Sequence, residues 1–213
     1  MTDNITVNTQ SSIRIEAGKQ VLYVDPFEIT EERHDADIIF ITHEHGDHFS
    51  PEVLARLAHE ETFFVAPASM HDKVTAEPYV EEAYFIGMRP GDETHVDGIS
   101  VKAVAAYNSN KEFHKKEFGW VGYVLTVGGQ RIYVAGDMDA TPEAEAVACD
   151  IAMVPIGGYY TMDYKEAADL INKMKPATVI PTHYGTIIGE KTDGDSFAAL
   201  IDPSIKVVKK LVF

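Results

Sequence analysis

The stretch Thr42-His43-Glu44-His45-Gly46-Asp47-His48 follows directly on an apolar run, Ile38-Ile39-Phe40-Ile41, that reads as a buried strand. His43 and His45 are two residues apart, so in extended backbone they share a face. Gly46 permits a sharp turn, after which Asp47 and His48 supply an oxygen and a further nitrogen. Neutral imidazole and carboxylate are the ligands that zinc, iron and manganese take. The stretch therefore reads as a metal site at the end of a strand. It requires a fold in which other strand ends deliver the remaining ligands.

Those strand ends can be found along the chain. The first segment alternates in the β manner, with Ile5 and Val7, then Ile13 and Ile15, then Val21 to Val24 after a hairpin turn at Gly18-Lys19. It stops at Asp25-Pro26, where the carboxylate serves either the turn or the support of the metal site. Ser50-Pro51-Glu52 opens a helix expected to run to about Glu60, followed by a strand over 62–66. A strand from Ile99 to Ala106 leads to Asn108 and a lysine-rich loop carrying Lys111, Lys115 and Lys116. Two more strands pair across Gly128-Gly129, and the second runs into Gly136-Asp137. A strand over 149–155 ends at Pro155, and Asp163 with Glu166 marks a capping box for a helix through Met174. Residues 177–181 form a strand that delivers His183-Tyr184, a short helix is expected over 195–201, and a last strand over 205–213.

One zinc ion takes about four ligands, and the chain holds enough for two. The economical arrangement puts His43 and His45 on one ion, Asp47, His48 and His183 on the other, and Asp137 between them. Two ions at that spacing would clamp the attacking and leaving oxygens of a hydrolytic reaction. The mixture of strands and interleaved helices suits an α/β architecture of two packed sheets with helices outside.

Composition narrows the setting. A chain of 213 residues with 45% apolar content fits one domain, residues 1–213. Its formal charge of −16 opposes broad attraction to nucleic acid or to an anionic membrane. The single cysteine, Cys149, cannot close an intramolecular disulfide, and the N-terminus has no secretion-signal pattern. With no apolar run near the roughly 18 residues of a membrane span, a cytoplasmic protein is expected. A homo-oligomer stays open.

The His-x-His-x-Asp-His core, the later Gly136-Asp137 and the final His183 together resemble the metallo-β-lactamase superfamily, and the likeness covers nearly the whole chain in order. It implies a four-layer αββα sandwich with two mixed sheets, one or two metal ions at the strand ends, and hydrolysis by a hydroxide held on the metal. Zinc is the ion favoured by ligand type, with manganese or iron as alternatives. Finer features, Asp25-Pro26, Ala106-Tyr107-Asn108, Phe113-His114-Lys115-Lys116, Gly119-Trp120-Val121-Gly122-Tyr123 and Pro181-Thr182-His183-Tyr184-Gly185, resemble small stand-alone hydrolases related to L-ascorbate-6-phosphate lactonase. The sequence departs from the superfamily pattern at Asn108, where a histidine ligand is usual. Either the amide ligates weakly, or His114 from the next loop takes its place.

The resulting expectation is a hydrolase acting on a small ester, lactone or phosphoester, with Asp47 orienting the hydroxide and Tyr184 donating to a developing oxyanion. Lys111, Lys115 and Lys116 would hold an anionic substrate against an acidic surface. Three rivals remain. Two-iron redox relatives usually carry glutamate where His45 stands and add a flavin domain for which this chain has no room. Nucleases of the superfamily commonly add a further domain and would gain nothing from this acidity. A metal-binding protein without catalysis is the third, and Asn108 speaks for it.

Overall fold

The structure, a computed structural model, describes residues 2–213. The first half of the chain builds one sheet from β1 (Ile5–Val7), β2 (Ile13–Ala17), β3 (Gln20–Val24), β4 (Ala36–Phe40), β5 (Ala58–Pro67) and β6 (Phe85–Met88), in that spatial order. The second sheet follows as β7 (Glu93–Val96), β8 (Ile99–Ala105), β9 (Val121–Val127), β10 (Gln130–Val134), β11 (Ile151–Pro155), β12 (Thr178–Thr182) and β13 (Lys206–Val207), again adjacent in sequence order. Each sheet begins as an antiparallel meander and ends as parallel strands. The change falls between β3 and β4 in one and between β10 and β11 in the other. Parallel neighbours need crossovers, supplied in the first sheet by the irregular connection over 25–35 between β3 and β4 and then by α1 (Pro51–Leu57) and α2 (His71–Thr75), and in the second by α3 (Pro142–Glu145), α4 (Tyr164–Met174) and α5 (Asp193–Leu200).

The run Ile38 to Ile41 is apolar throughout because β4 is covered on both faces. Ile38 and Phe40 enter the core between the sheets, which also takes Leu22, Val24, Val65, Val101, Val121, Tyr123 and Leu125. Ile39 and Ile41 enter a second core against Val53, Leu54 and Leu57 of α1 and Met70 and Val74 near α2. The sheets are tied directly at the end that carries the histidine-rich turn, where the buried Tyr123 hydroxyl of β9 donates to the Ile41 carbonyl at 2.7 Å. On the other side, Ala167, Ala168, Leu170 and Ile171 of α4 cover the second sheet. The result is the expected α/β/β/α layering.

Local signals formed as expected at several points. Gly18 turns the β2–β3 hairpin with φ +70°. Asp163 accepts from the Lys165 and Glu166 amides while Glu166 reaches back to the Asp163 amide, closing the capping box of α4. Two boundaries differ. The helix begun at Pro51 ends at Leu57, short of Glu60, because Ala58 pairs with Ala36 in the sheet and the Arg33 and His34 amides take the Arg56 carbonyl. The last strand is confined to Lys206–Val207, because the chain then leaves the sheet edge and brings Phe213 against Tyr184, with ring centroids 5.4 Å apart.

Candidate metal centre

Strand β4 delivers the histidine stretch, and its neighbours aim at the same point: β3 ends at Asp25, β8 leads to Asn108 and His114, β10 to Asp137, and β12 to His183. Asp25, His114 and His183 are all in left-handed backbone, with φ of +46°, +50° and +54°. Non-glycine residues there cost about 1–3 kcal/mol each and persist only where the surroundings enforce them. Such strain concentrates at functional sites.

Two groups of donors face inward. In the first, His43 Nε2 lies 3.1 Å and His114 Nε2 3.2 Å from His45 Nδ1. In the second, His183 Nε2 lies 3.1 Å and His48 Nε2 3.5 Å from Asp47 Oδ2. Asp137 stands between them. One of its oxygens is 3.4 Å from His114 Nε2, 3.3 Å from His183 Nε2 and 4.0 Å from His43 Nε2, and the other is 3.4 Å from His48 Nε2. Each triad, His43/His45/His114 and Asp47/His48/His183, keeps its ligand atoms within 4.8 Å of one another. His48 Nε2 and Asp137 Oδ1 are buried without a hydrogen-bond partner. Buried polar atoms are normally paired, so a convergence of orphaned nitrogen and carboxylate lone pairs is what a divalent cation would satisfy.

For the first group the electrostatics agree with that reading, whereas in the second the carboxylates around His48 favour its protonated form until a cation takes the proton's place. Burial, reinforced by His48, pushes His43 well below the usual imidazole range. Burial also lowers His45, and it takes His114 down to about 4. All three are thus neutral near pH 7 with lone pairs available. Burial alone would depress His48 as well, but Asp137 and Asp25 outweigh it and raise the group well above its ordinary value. Asp47 and Asp137 are lowered despite burial, the first by the hydrogen bond from His183 and the nearby His48, the second by the charges of the same two residues.

Asp25 supports both groups. Its carboxylate is fully buried and accepts from His48 Nδ1 at 2.7 Å, from the Thr42 amide at 2.7 Å and from Thr42 Oγ1 at 2.6 Å. Thr42 Oγ1 in turn lies 3.0 Å from His43 Nδ1. One carboxylate therefore fixes a histidine of each triad, directly in one case and through a hydroxyl in the other. Orientation of a ligand through its second ring nitrogen is what metal-binding histidines require.

Asn108 and His114 divide the roles that the sequence left undecided. His114 joins the first triad. Asn108 lies behind it, its amide donating to the Tyr160 carbonyl at 2.7 Å and lying 3.1 Å from His114 Nδ1, while its own backbone amide donates to the His114 carbonyl at 2.8 Å. Tyr184 was expected to offer its hydroxyl to the reaction, and this is corrected. The left-handed turn that aims His183 at the cluster leaves Tyr184 in the core, its ring against Phe213 and its hydroxyl against Gly194, where a Cβ would come within 2.4 Å. The lysines expected to hold an anion all have acidic partners: Lys111 pairs with Asp139, Lys115 with Glu112 at 3.2 Å and Lys116 with Glu143 at 2.7 Å.

Two further residues stand at the cluster, Gln10 and Trp120. Gln10, fully buried with φ +46°, accepts from the His183 amide through its carbonyl at 3.0 Å, and neither polar atom of its side chain has a partner. Trp120 packs on His43 and His45 with ring centroids 4.9 and 5.1 Å away. The Gly119-Trp120 pair at a strand entrance was the available hint for the second. Nothing in Thr9-Gln10-Ser11 marked the first.

Solved structures define the fold class. A chain of Parabacteroides distasonis named as a candidate metal-dependent hydrolase superposes with a TM-score of 0.82 at 28% identity, covering 98% of this chain and 93% of that one. Igni18, a metallo hydrolase of Ignicoccus hospitalis, superposes at 0.76 with 24% identity over 96% and 93% of the two chains. This is the metallo-β-lactamase fold. The family follows from sequence: residues 4–183 match the model of the beta-lactamase superfamily domain. The UPF0173 metal-dependent hydrolase of Pyrococcus abyssi is 32% identical over 213 aligned positions, 91% of this chain and 90% of that protein. The chain belongs to the UPF0173 metal-dependent hydrolases of the metallo-β-lactamase superfamily.

Proposed function

We propose that the protein hydrolyses a small ester, lactone or phosphoester with two divalent ions, zinc by preference. The observation that carries this reading is the pair of three-donor groups, His43/His45/His114 and Asp47/His48/His183, with Asp137 between them. Nitrogen and oxygen donors of this kind suit zinc, and the set also admits manganese or iron. Bound there, divalent ions supply Lewis acidity and bring the pKa of water toward neutrality.

The chain's own residues do the rest. Asp47 is half-buried and ionised, so its carboxylate is available to accept a hydrogen bond from an attacking water and orient it. Asp25, through His48 Nδ1 and Thr42 Oγ1, holds the ligand rings in place during turnover. Trp120, packed on His43 and His45, keeps one side of the cluster apolar and excludes bulk water there. The lactone reading rests on the resemblance of the Asp25-Pro26, Ala106-Tyr107-Asn108 and Phe113-His114-Lys115-Lys116 motifs to those of lactonase-like hydrolases. A cytoplasmic setting rests on the one buried, unbridged cysteine. Among the described residues no helix is long and apolar enough to cross a membrane.

The test is elemental analysis of protein purified without added metal, together with a panel of esters, lactones, thioesters and phosphodiesters. Near two equivalents of metal are expected, falling toward one in His114→Ala. Activity on at least one class is expected, abolished in the folded Asp47→Ala/His183→Ala double variant. Hydrolysis that survives in the double variant would overturn the assignment.

A further inference from the structure

Among the described residues seven large hydrophobic side chains are exposed, and four of them, Phe113, Phe118, Tyr159 and Ile187, sit on the loops that follow β8, β11 and β12. Two of those loops also carry the metal-facing His114 and His183. Large apolar side chains scattered over a surface need no explanation, but a cluster beside a reactive centre does. Phe113 meets Tyr160 at a ring-centroid distance of 4.7 Å and Tyr159 at 6.1 Å, and the two tyrosines meet each other at 4.7 Å.

This rim is coupled to the metal-facing groups. Phe113 immediately precedes His114, and the Asn108 amide touches both His114 Nδ1 and the Tyr160 carbonyl. The Ile187 loop packs on the tyrosine loop at Gly157, where a Cβ would lie 2.7 Å from Ile188 Cγ2 and 2.3 Å from the His183 carbonyl. Tyr159 is 69% exposed and held in left-handed backbone with φ +55°. A bulky residue in that conformation is unfavourable, and so much exposure gives it little burial in return. The charges around the rim are already matched, since Lys111, Lys115 and Lys116 each pair with an acid and the chain as a whole carries −16. A substrate carboxylate or phosphate lying over the rim would find no uncommitted lysine from that loop.

We infer that Phe113, Tyr159 and Tyr160 form the subsite for the non-reacting part of the substrate, and that this part is uncharged and apolar, with an aromatic ring as its best occupant. The inference rests on the hydrolase reading for the reacting group and replaces the anionic substrate suggested by the lysines. Offset or edge-on stacking against the rim supplies the selectivity.

The experiment uses the metal-loaded protein and two probes that differ by one ring carboxylate, N-benzylacetamide and 4-(acetamidomethyl)benzoate, with dissociation constants measured by ligand-observed NMR titration. The uncharged probe is expected to bind about tenfold more tightly than its carboxylate twin. Phe113→Ser/Tyr159→Asn should lose about tenfold toward the uncharged probe with metal content and thermal midpoint unchanged. Should the double variant fail to fold, Tyr159→Asn alone, at an exposed position whose backbone suits asparagine, gives the same comparison. Equal or tighter binding of the carboxylate, or a variant that binds as the parent does, overturns the inference. So does a variant that changes only from dimer to monomer, which would assign the rim to contact between copies. A protein that binds the uncharged probe in the rim but hydrolyses no substrate of the panel keeps this subsite and loses the hydrolase reading. One that hydrolyses esters without the preference loses only the subsite.

Discussion

Asp25→Asn keeps the volume of a fully buried side chain and removes its charge, and the geometry leaves the amide no satisfactory orientation. The carboxylate accepts three hydrogen bonds, from the Thr42 amide on one oxygen and from Thr42 Oγ1 and His48 Nδ1 on the other. If the asparagine oxygen faces His48, its NH2 group meets the Thr42 N–H donor. A buried donor is then left without an acceptor, costing about 1–3 kcal/mol. If the amide turns over, NH2 faces His48 Nδ1 and drives the imidazole proton onto Nε2, the nitrogen that faces Asp47 and Asp137. That tautomer cannot ligate. Loss of such a supporting partner typically weakens metal affinity about 10–100-fold, or about 1.4–2.8 kcal/mol. Zinc titration against a competing chelator should therefore show one equivalent weakened by this factor, the one held by Asp47, His48 and His183. The three-histidine group, which Asp25 reaches only through Thr42, should lose less. In the metal-free protein the same substitution should lower the thermal midpoint by about 2–4 °C for each kcal/mol lost. Two equivalents bound with parental affinity would refute the reasoning and reduce Asp25 to a turn residue.

Three further outcomes follow from particular groups. His114 is depressed to about 4 by burial from an ordinary value of 6.5, so its contribution to stability is present above pH 6.5 and lost as the pH falls toward 4. Between pH 7 and pH 5 the chelator-treated parent should lose about 2 kcal/mol more in urea unfolding than His114→Gln does, and equal losses would count against the buried neutral ring. The Cys149 thiol is pushed up to about 12 by burial beside Met174, leaving about one in ten thousand as thiolate at pH 8. It should resist a thiol reagent in the native state and react fully in denaturant; rapid native labelling would contradict the packing. Gly157→Ala would place a Cβ 2.3 Å from the His183 carbonyl, so it should displace His183 and reduce metal content toward one equivalent, whereas Gly158→Ala, which meets nothing closer than 3.5 Å and is strained only by its φ of +76°, should lower the thermal midpoint but leave metal content intact.

The residues whose roles could be read in advance act over short distances along the chain. His43 and His45 converge because one strand end carries both, and the Gly18 hairpin and the Asp163–Glu166 cap close within a few residues. His114 could be named as a candidate but not placed, since nothing local separates a loop histidine facing solvent from one turned inward by left-handed backbone. Tyr184 misled for the same reason. Adjacency to His183 in sequence says nothing about which way the next side chain points after a turn at φ +54°. Lys111 and Lys116 looked free because their partners Asp139 and Glu143 lie 28 and 27 residues away.

The sequence alone determined that a strand ends in a histidine-rich turn, that further strands end in Asp137 and His183, and that apolar alternation builds two sheets with helices between strands. Those features depend on backbone periodicity and on turn chemistry within a few residues. Tertiary structure decided which candidates share a centre, that Asp25 anchors a ring of each triad, that Asn108 stands behind His114, and that Phe113 meets Tyr159 and Tyr160 at the rim. Asp47 and His183 are 136 residues apart in the chain and 3.1 Å apart in the fold. That distance is set by two sheets packing face to face around buried side chains, a condition that no window of sequence contains.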